Sequence, residues 1–115
     1  MHELGIATSV ADTVRGEMRR HPGARPVRVG LRIGEWAGVN PDALQFSFEV
    51  LARGTDLGQV TLEIESLPIR NRCAACDAEF RVVDYQTVCP ACGAANTRTV
   101  SGHEMEIAFV ELEEA

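Results

Sequence analysis

Residues 73–92 read CAACDAEFRVVDYQTVCPAC, two C-x2-C pairs separated by twelve residues. Each pair can turn tightly enough to aim two sulfurs at one ion, and the stretch between them suits a short hairpin that brings the pairs together. Gly93 follows the second pair, where a knuckle turn needs an unrestricted backbone. A redox dithiol uses one such pair at a strand-to-helix turn, so two spaced pairs point to a metal instead. Four thiolates from Cys73, Cys76, Cys89 and Cys92 saturate a tetrahedral zinc ion and leave no position for water, which makes the site structural rather than catalytic. Iron accepts the same spacing, but a solitary four-cysteine ribbon needs no electron-transfer partner, and zinc is favoured. Few large apolar residues flank the cysteines, so the segment is expected to fold only with its metal.

Outward from this segment the chain reads as a small α/β unit. From Leu4 to Met18, Ala7, Val10, Ala11 and Val14 recur at steps of three and four, the stripe of an amphipathic helix. Glu3 opens that helix, Arg19 and Arg20 close it, and His21-Pro22-Gly23 stops it. Val27, Val29, Leu31 and Ile33 then alternate with Arg28, Gly30, Arg32 and Gly34, as in a half-buried strand. Asn40 can cap a second helix with Pro41 in its first position, and Leu44, Phe48 and Leu51 form its stripe as far as Gly54.

Val60, Leu62 and Ile64 predict a second strand, and Met105, Ile107 and Phe109 a third that continues through Val110 and Leu112 with a slip in the alternation. The fold expected is α+β: two helices packed on a small three-stranded mixed sheet, with an inserted zinc-ribbon module. Residues 1–67 and 99–115 would form the first domain, and 68–98 the insertion.

Eleven basic against seventeen acidic residues give a net charge of -6, which removes the electrostatic attraction most nucleic-acid binders rely on. No basic, apolar leader and no run of roughly 20 apolar residues is visible, so neither export nor a membrane span is expected. A cytoplasmic setting also keeps cysteines reduced and available to metal. The closed cysteine site and the lack of a nucleophile–base arrangement argue against an enzyme. Trp36, beside Glu35 in a glycine-containing loop, reads as a packing anchor or contact residue.

The first residues, MHE, carry the remaining chemistry. The Met1 amine, the deprotonated backbone nitrogen of His2 and its imidazole can close a five-membered and a six-membered chelate ring in one plane. Nickel(II) and copper(II) favour such nitrogen sites, and a fourth position stays open for exchange. Glu3 could orient this site, supply an oxygen, or complement the helix dipole. His103, in GHE at 102–104, lies where the chain leaves the cysteine segment and could approach the N-terminus; an exposed turn histidine is the plainer reading.

MHE at the start, I-G-E at 33–35, two C-x2-C pairs and G-x-E-M at 102–105 together resemble the HypA family of hydrogenase maturation nickel metallochaperones. The resemblance implies a nickel-binding α/β domain and a zinc domain, with His2 as the essential nickel ligand and Cys73, Cys76, Cys89 and Cys92 on zinc. It further implies Ni(II) as labile cargo, delivered with a HypB-type GTPase to the large subunit of NiFe hydrogenase. Some relatives also serve urease maturation proteins, and members occur as monomers or dimers. Histidines that some relatives carry near the cysteines are replaced here by Ala74, Ala75, Pro90, Ala91 and Gly93. The alternative from another class is a zinc-ribbon module that docks protein or nucleic acid and carries no labile metal.

Overall fold

A computed structural model describes residues 3–114. Helix α1 spans Glu3–Arg20 and strand β1 Arg25–Gly34; a single 3-10 turn, Glu35–Ala37, leads to helix α2, Pro41–Ala52. Strand β2 is Thr61–Leu67, followed by β3 (Arg70–Cys73), β4 (Glu79–Arg81), β5 (Thr97–Ser101) and β6 (Met105–Glu113). Two three-stranded sheets result, ordered β2-β1-β6 and β4-β3-β5.

The first sheet is mixed. β1 runs parallel to β2, joined by the α2 crossover, and antiparallel to β6, as expected for a sheet that the C-terminal strand completes. Both helices lie on one face and bury Ala7, Val10, Ala11, Val14, Leu44 and Phe48 against Val29, Leu31 and Leu62. In the first turn of α1 the apolar stripe passes through Ile6, which packs on the core, and Leu4 stands 58% exposed. The Asn40 side chain accepts the Ala43 N–H, and Pro41 costs nothing at a position whose N–H has no helical partner.

The slip in the third strand is a bulge. Gly30 faces Phe109 and Leu31 faces Ile107, which leaves Ala108 unmatched. That extra residue turns Phe109 onto the open face of the sheet, where its ring occupies the space a Cβ on Gly30 would take. Beyond the bulge Val110 pairs with Val29 and packs on the core. Arg28 and Arg32 span the same open face, Arg28 pairing with Glu63 and Glu111 and Arg32 with Glu65 and Glu106. Each arginine therefore ties the central strand to both neighbours.

The second sheet is antiparallel and carries the cysteines. Its polar faces are matched by charge: the Glu79 carboxylate takes Arg70 at 2.9 Å and Arg72 at 3.0 Å, which holds it below the usual carboxylate range. The molecule is elongated, 56 × 24 × 15 Å, with a radius of gyration of 18.1 Å where a compact chain of this length would have about 13 Å. The two sheets are the cores of two lobes.

Candidate metal centre

Two knuckles with the same backbone pattern present the four sulfurs. In the first, the Cys73 N–H donates to Ala78 O and the Asp77 N–H to Cys73 O; in the second, the Cys89 N–H donates to Ala94 O and the Gly93 N–H to Cys89 O. All four bonds are 2.8–2.9 Å. The residue after each pair takes a left-handed conformation, Asp77 at φ 63° and Gly93 at φ 77°. Gly93 was expected there, whereas Asp77 is a tolerated exception because a short polar side chain reaches this region more easily than most. Its position, fifth in the first copy of the motif as Gly93 is fifth in the second, was the available signal.

The sulfurs converge across the two knuckles. Cys73 Sγ lies 3.6 Å from Cys92 Sγ and Cys76 Sγ 3.6 Å from Cys89 Sγ, with all four within 4.8 Å of one another. Ligands about 2.3 Å from a tetrahedral zinc stand about 3.8 Å apart, so the donor set and its spacing fit that ion. Cys73 and Cys89 are buried, while Cys76 and Cys92 face outward.

Crowding splits their acidities. The Cys92 and Ala91 amides help draw Cys89 down to about 7. At Cys76 the Ala78 amide pulls downward, but the Cys89 sulfur, desolvation and the other two thiols together push it up to about 12. A divalent cation removes this conflict by compensating all four thiolates at once.

The Asn71 side chain, buried on β3, donates to Thr97 Oγ1, which donates to the carbonyl of Thr87. This relay ties the loop before Cys89 to the sheet. The remaining Asn71 oxygen has no protein partner, and an internal water is the ordinary solution for such an atom.

Met1 and His2 lie outside the described residues. Glu3 opens α1, and its carboxylate accepts the Asn40 N–H at 3.2 Å, tying the start of α1 to the cap of α2. His103 is exposed and stacks on Trp36, with ring centroids 5.8 Å apart and planes 11° from parallel. Trp36, itself 40% exposed, also meets Tyr85, 5.8 Å away at 43°, so it is a contact residue of its loop rather than a buried anchor. Gly5 and Ile6 of α1 share an apolar groove with Ile33 and Met105, so the start of α1 and the turn bearing His103 occupy the same end of the α/β lobe. Of the sequence-derived candidates, the four cysteines form one cluster, while Glu3 and His103 are each engaged with a different neighbour.

Among the described residues, no helix is long and apolar enough to cross a membrane. The family described as "Hydrogenase/urease nickel incorporation, metallochaperone, hypA" matches residues 1–112. The chain is 42% identical to the hydrogenase maturation factor HypA of Geobacter metallireducens, covering 98% of this chain and all of that one. It is 39% identical to the protein of the same name from Chlorobium luteolum, with 99% and 97% covered. Two solved structures share the fold along the whole chain. The solution structure of the Ni metallochaperone HypA from Helicobacter pylori gives a TM-score of 0.65 at 20% identity, covering all of both chains. A second, titled as the solution structure of HypA protein, gives 0.71 at 22%, covering 98% of that chain.

Proposed function

Because this chain belongs to the HypA family of hydrogenase/urease nickel-incorporation metallochaperones, and so is not an enzyme, we propose that it carries Ni(II) on its first residues. The observation that carries the reading is that the family match begins at residue 1, so the MHE start belongs to the matched region. His2 supplies its imidazole and its backbone nitrogen, and Met1 its amine, to a planar nitrogen set that suits nickel. Glu3 supports the site by holding the start of α1 against the α2 cap, and His103, at the same end of the lobe, is a candidate for the remaining position.

Zinc on Cys73, Cys76, Cys89 and Cys92 shapes the second lobe and takes no part in transfer. The cargo passes, with a HypB-type GTPase, to the large subunit of NiFe hydrogenase, or to urease maturation proteins, in the cytoplasm. Titration calorimetry of untagged, zinc-loaded protein tests the assignment. His2→Ala is expected to lose the nickel site with zinc content and fold intact, and acetylation of the amine to weaken it. Equal nickel affinity in wild type and His2→Ala would sink the proposal.

A further inference from the structure

I-G-E at 33–35 and G-x-E-M at 102–105 are far apart in the chain, yet they interlock. The Gly34 N–H donates to Glu104 O at 2.8 Å and the Trp36 N–H to Gly102 O at 2.9 Å. A Cβ on Gly34 would stand 2.0 Å from Gly102 O, and one on Gly102, whose φ is +111°, would stand 2.8 Å from Ile69 Cα. Two glycines therefore permit a backbone contact that no other residue pair allows. The Glu104 carboxylate closes the turn by accepting the Gly102 N–H at 2.8 Å.

Glu35 reaches across the gap between lobes. Its Oε1 accepts the Ile69 N–H at 2.8 Å, just before β3, and lies 3.7 Å from an Arg81 Nη2 at the end of β4. Next to it, Trp36 meets both His103 and Tyr85. Tyr85 follows Asp84, and both are held at positive φ, 60° and 55°.

We infer that these two motifs are halves of one interlobe joint, in which Glu35 is the positioning residue and Trp36, stacked on His103 and tilted against Tyr85, the brace. The joint fixes the cysteine lobe relative to the end of the α/β lobe where α1 begins. On the nickel-carrier reading above, a recipient that touches both lobes then meets the cargo in one geometry; the joint itself does not depend on that reading.

Residual dipolar couplings and 15N relaxation on the full zinc-loaded chain test it. In wild type the two sheets are expected to share one alignment tensor and tumble as one elongated body. In Glu35→Ala they are expected to separate into two tensors with shorter correlation times, at unchanged zinc stoichiometry. Glu35→Gln keeps an acceptor for the Ile69 N–H and is expected to restore the common tensor in part, a rescue that a general loss of stability does not give. His103→Ala, at an exposed site where folding is not at risk, is expected to lower the fluorescence anisotropy of Trp36.

A common tensor retained in Glu35→Ala, or unchanged anisotropy in His103→Ala, overturns the joint. Nickel affinity, measured on wild type, Glu35→Ala and Glu35→Gln, is expected to stay unchanged. Loss of nickel binding in wild type as well would remove the carrier reading and leave the joint standing.

Discussion

The two lobes solve the same problem by different means. In the α/β lobe two helices and a sheet bury a continuous apolar core, from Ala7 through Phe48 to Leu62. In the cysteine lobe the buried apolar side chains are Ile69 and Val82, joined by the sulfurs of Cys73 and Cys89, and the sheet faces are covered by paired charges. Apolar burial contributes roughly 1.5–3 kcal/mol per large side chain, so the first lobe can hold itself together and the second cannot. A structural zinc ion contributes about 10–16 kcal/mol in model peptides, more than the whole net stability of many domains. One lobe is held by many weak contacts and the other by a single strong centre.

The largest expected effect comes from removing that centre. Strong chelation, or Cys73→Ser, is expected to abolish amide-exchange protection in β3, β4 and β5 while α1, α2, β1 and β2 stay protected. Simultaneous collapse of both lobes would show that the α/β lobe is not self-supporting. The converse cut is Phe48→Ala, which empties the centre of the apolar core and is expected to cost about 3–5 kcal/mol, read by denaturant unfolding. The exchange pattern around the cysteines is expected to survive until the variant unfolds globally. Together the two variants separate the two means of stabilisation.

The smallest effect lies at the joint. The Glu104 carboxylate is held below its ordinary range by its own backbone amide and that of Gly102, with Arg32 and His103 adding to the shift. A carboxylate whose folded pKa is depressed contributes stability above its unfolded pKa, about 4.3, and loses that contribution as pH falls through the folded value. Wild type is therefore expected to lose order at the Gly102 turn below the usual carboxylate range. Glu104→Gln is expected to show the same turn with that acid step flattened, followed by the Gly102 amide resonance. An identical acid step in both proteins would assign it to another group.

Much of the α/β lobe was legible because its signals are local. A stripe at three and four, an alternation at two, and an Asn40-Pro41 cap each report the surface a segment buries. Even the slip in β6 was visible, since a bulge breaks alternation within the strand itself. Strands β3, β4 and β5, with sequences RNRC, EFR and TRTVS, carry no such alternation. Burial does alternate along β3 and β5, but the inward positions hold Asn71, Cys73, Thr97 and Thr99 rather than aliphatic residues, so it leaves no hydrophobic period in the sequence. Glu35 and Trp36 could be noticed in a loop, but not assigned to a joint, because Glu35 meets a residue 34 positions away and Trp36 meets both His103 and Tyr85.

What the sequence determined by itself is the chemistry that neighbouring residues can perform. An amide nitrogen and an imidazole adjoin at His2, and two C-x2-C knuckles can each present two thiolates. These follow from covalent spacing, which folding does not alter. What only the tertiary structure decided is how those chemistries stand to one another. Gly34 and Gly102, brought together by β1 and β6, let two backbones touch, and Glu35 then clamps the cysteine lobe through Ile69 and Arg81. Contacts of that kind arise when strand pairing closes long loops, and no local period in the chain records them.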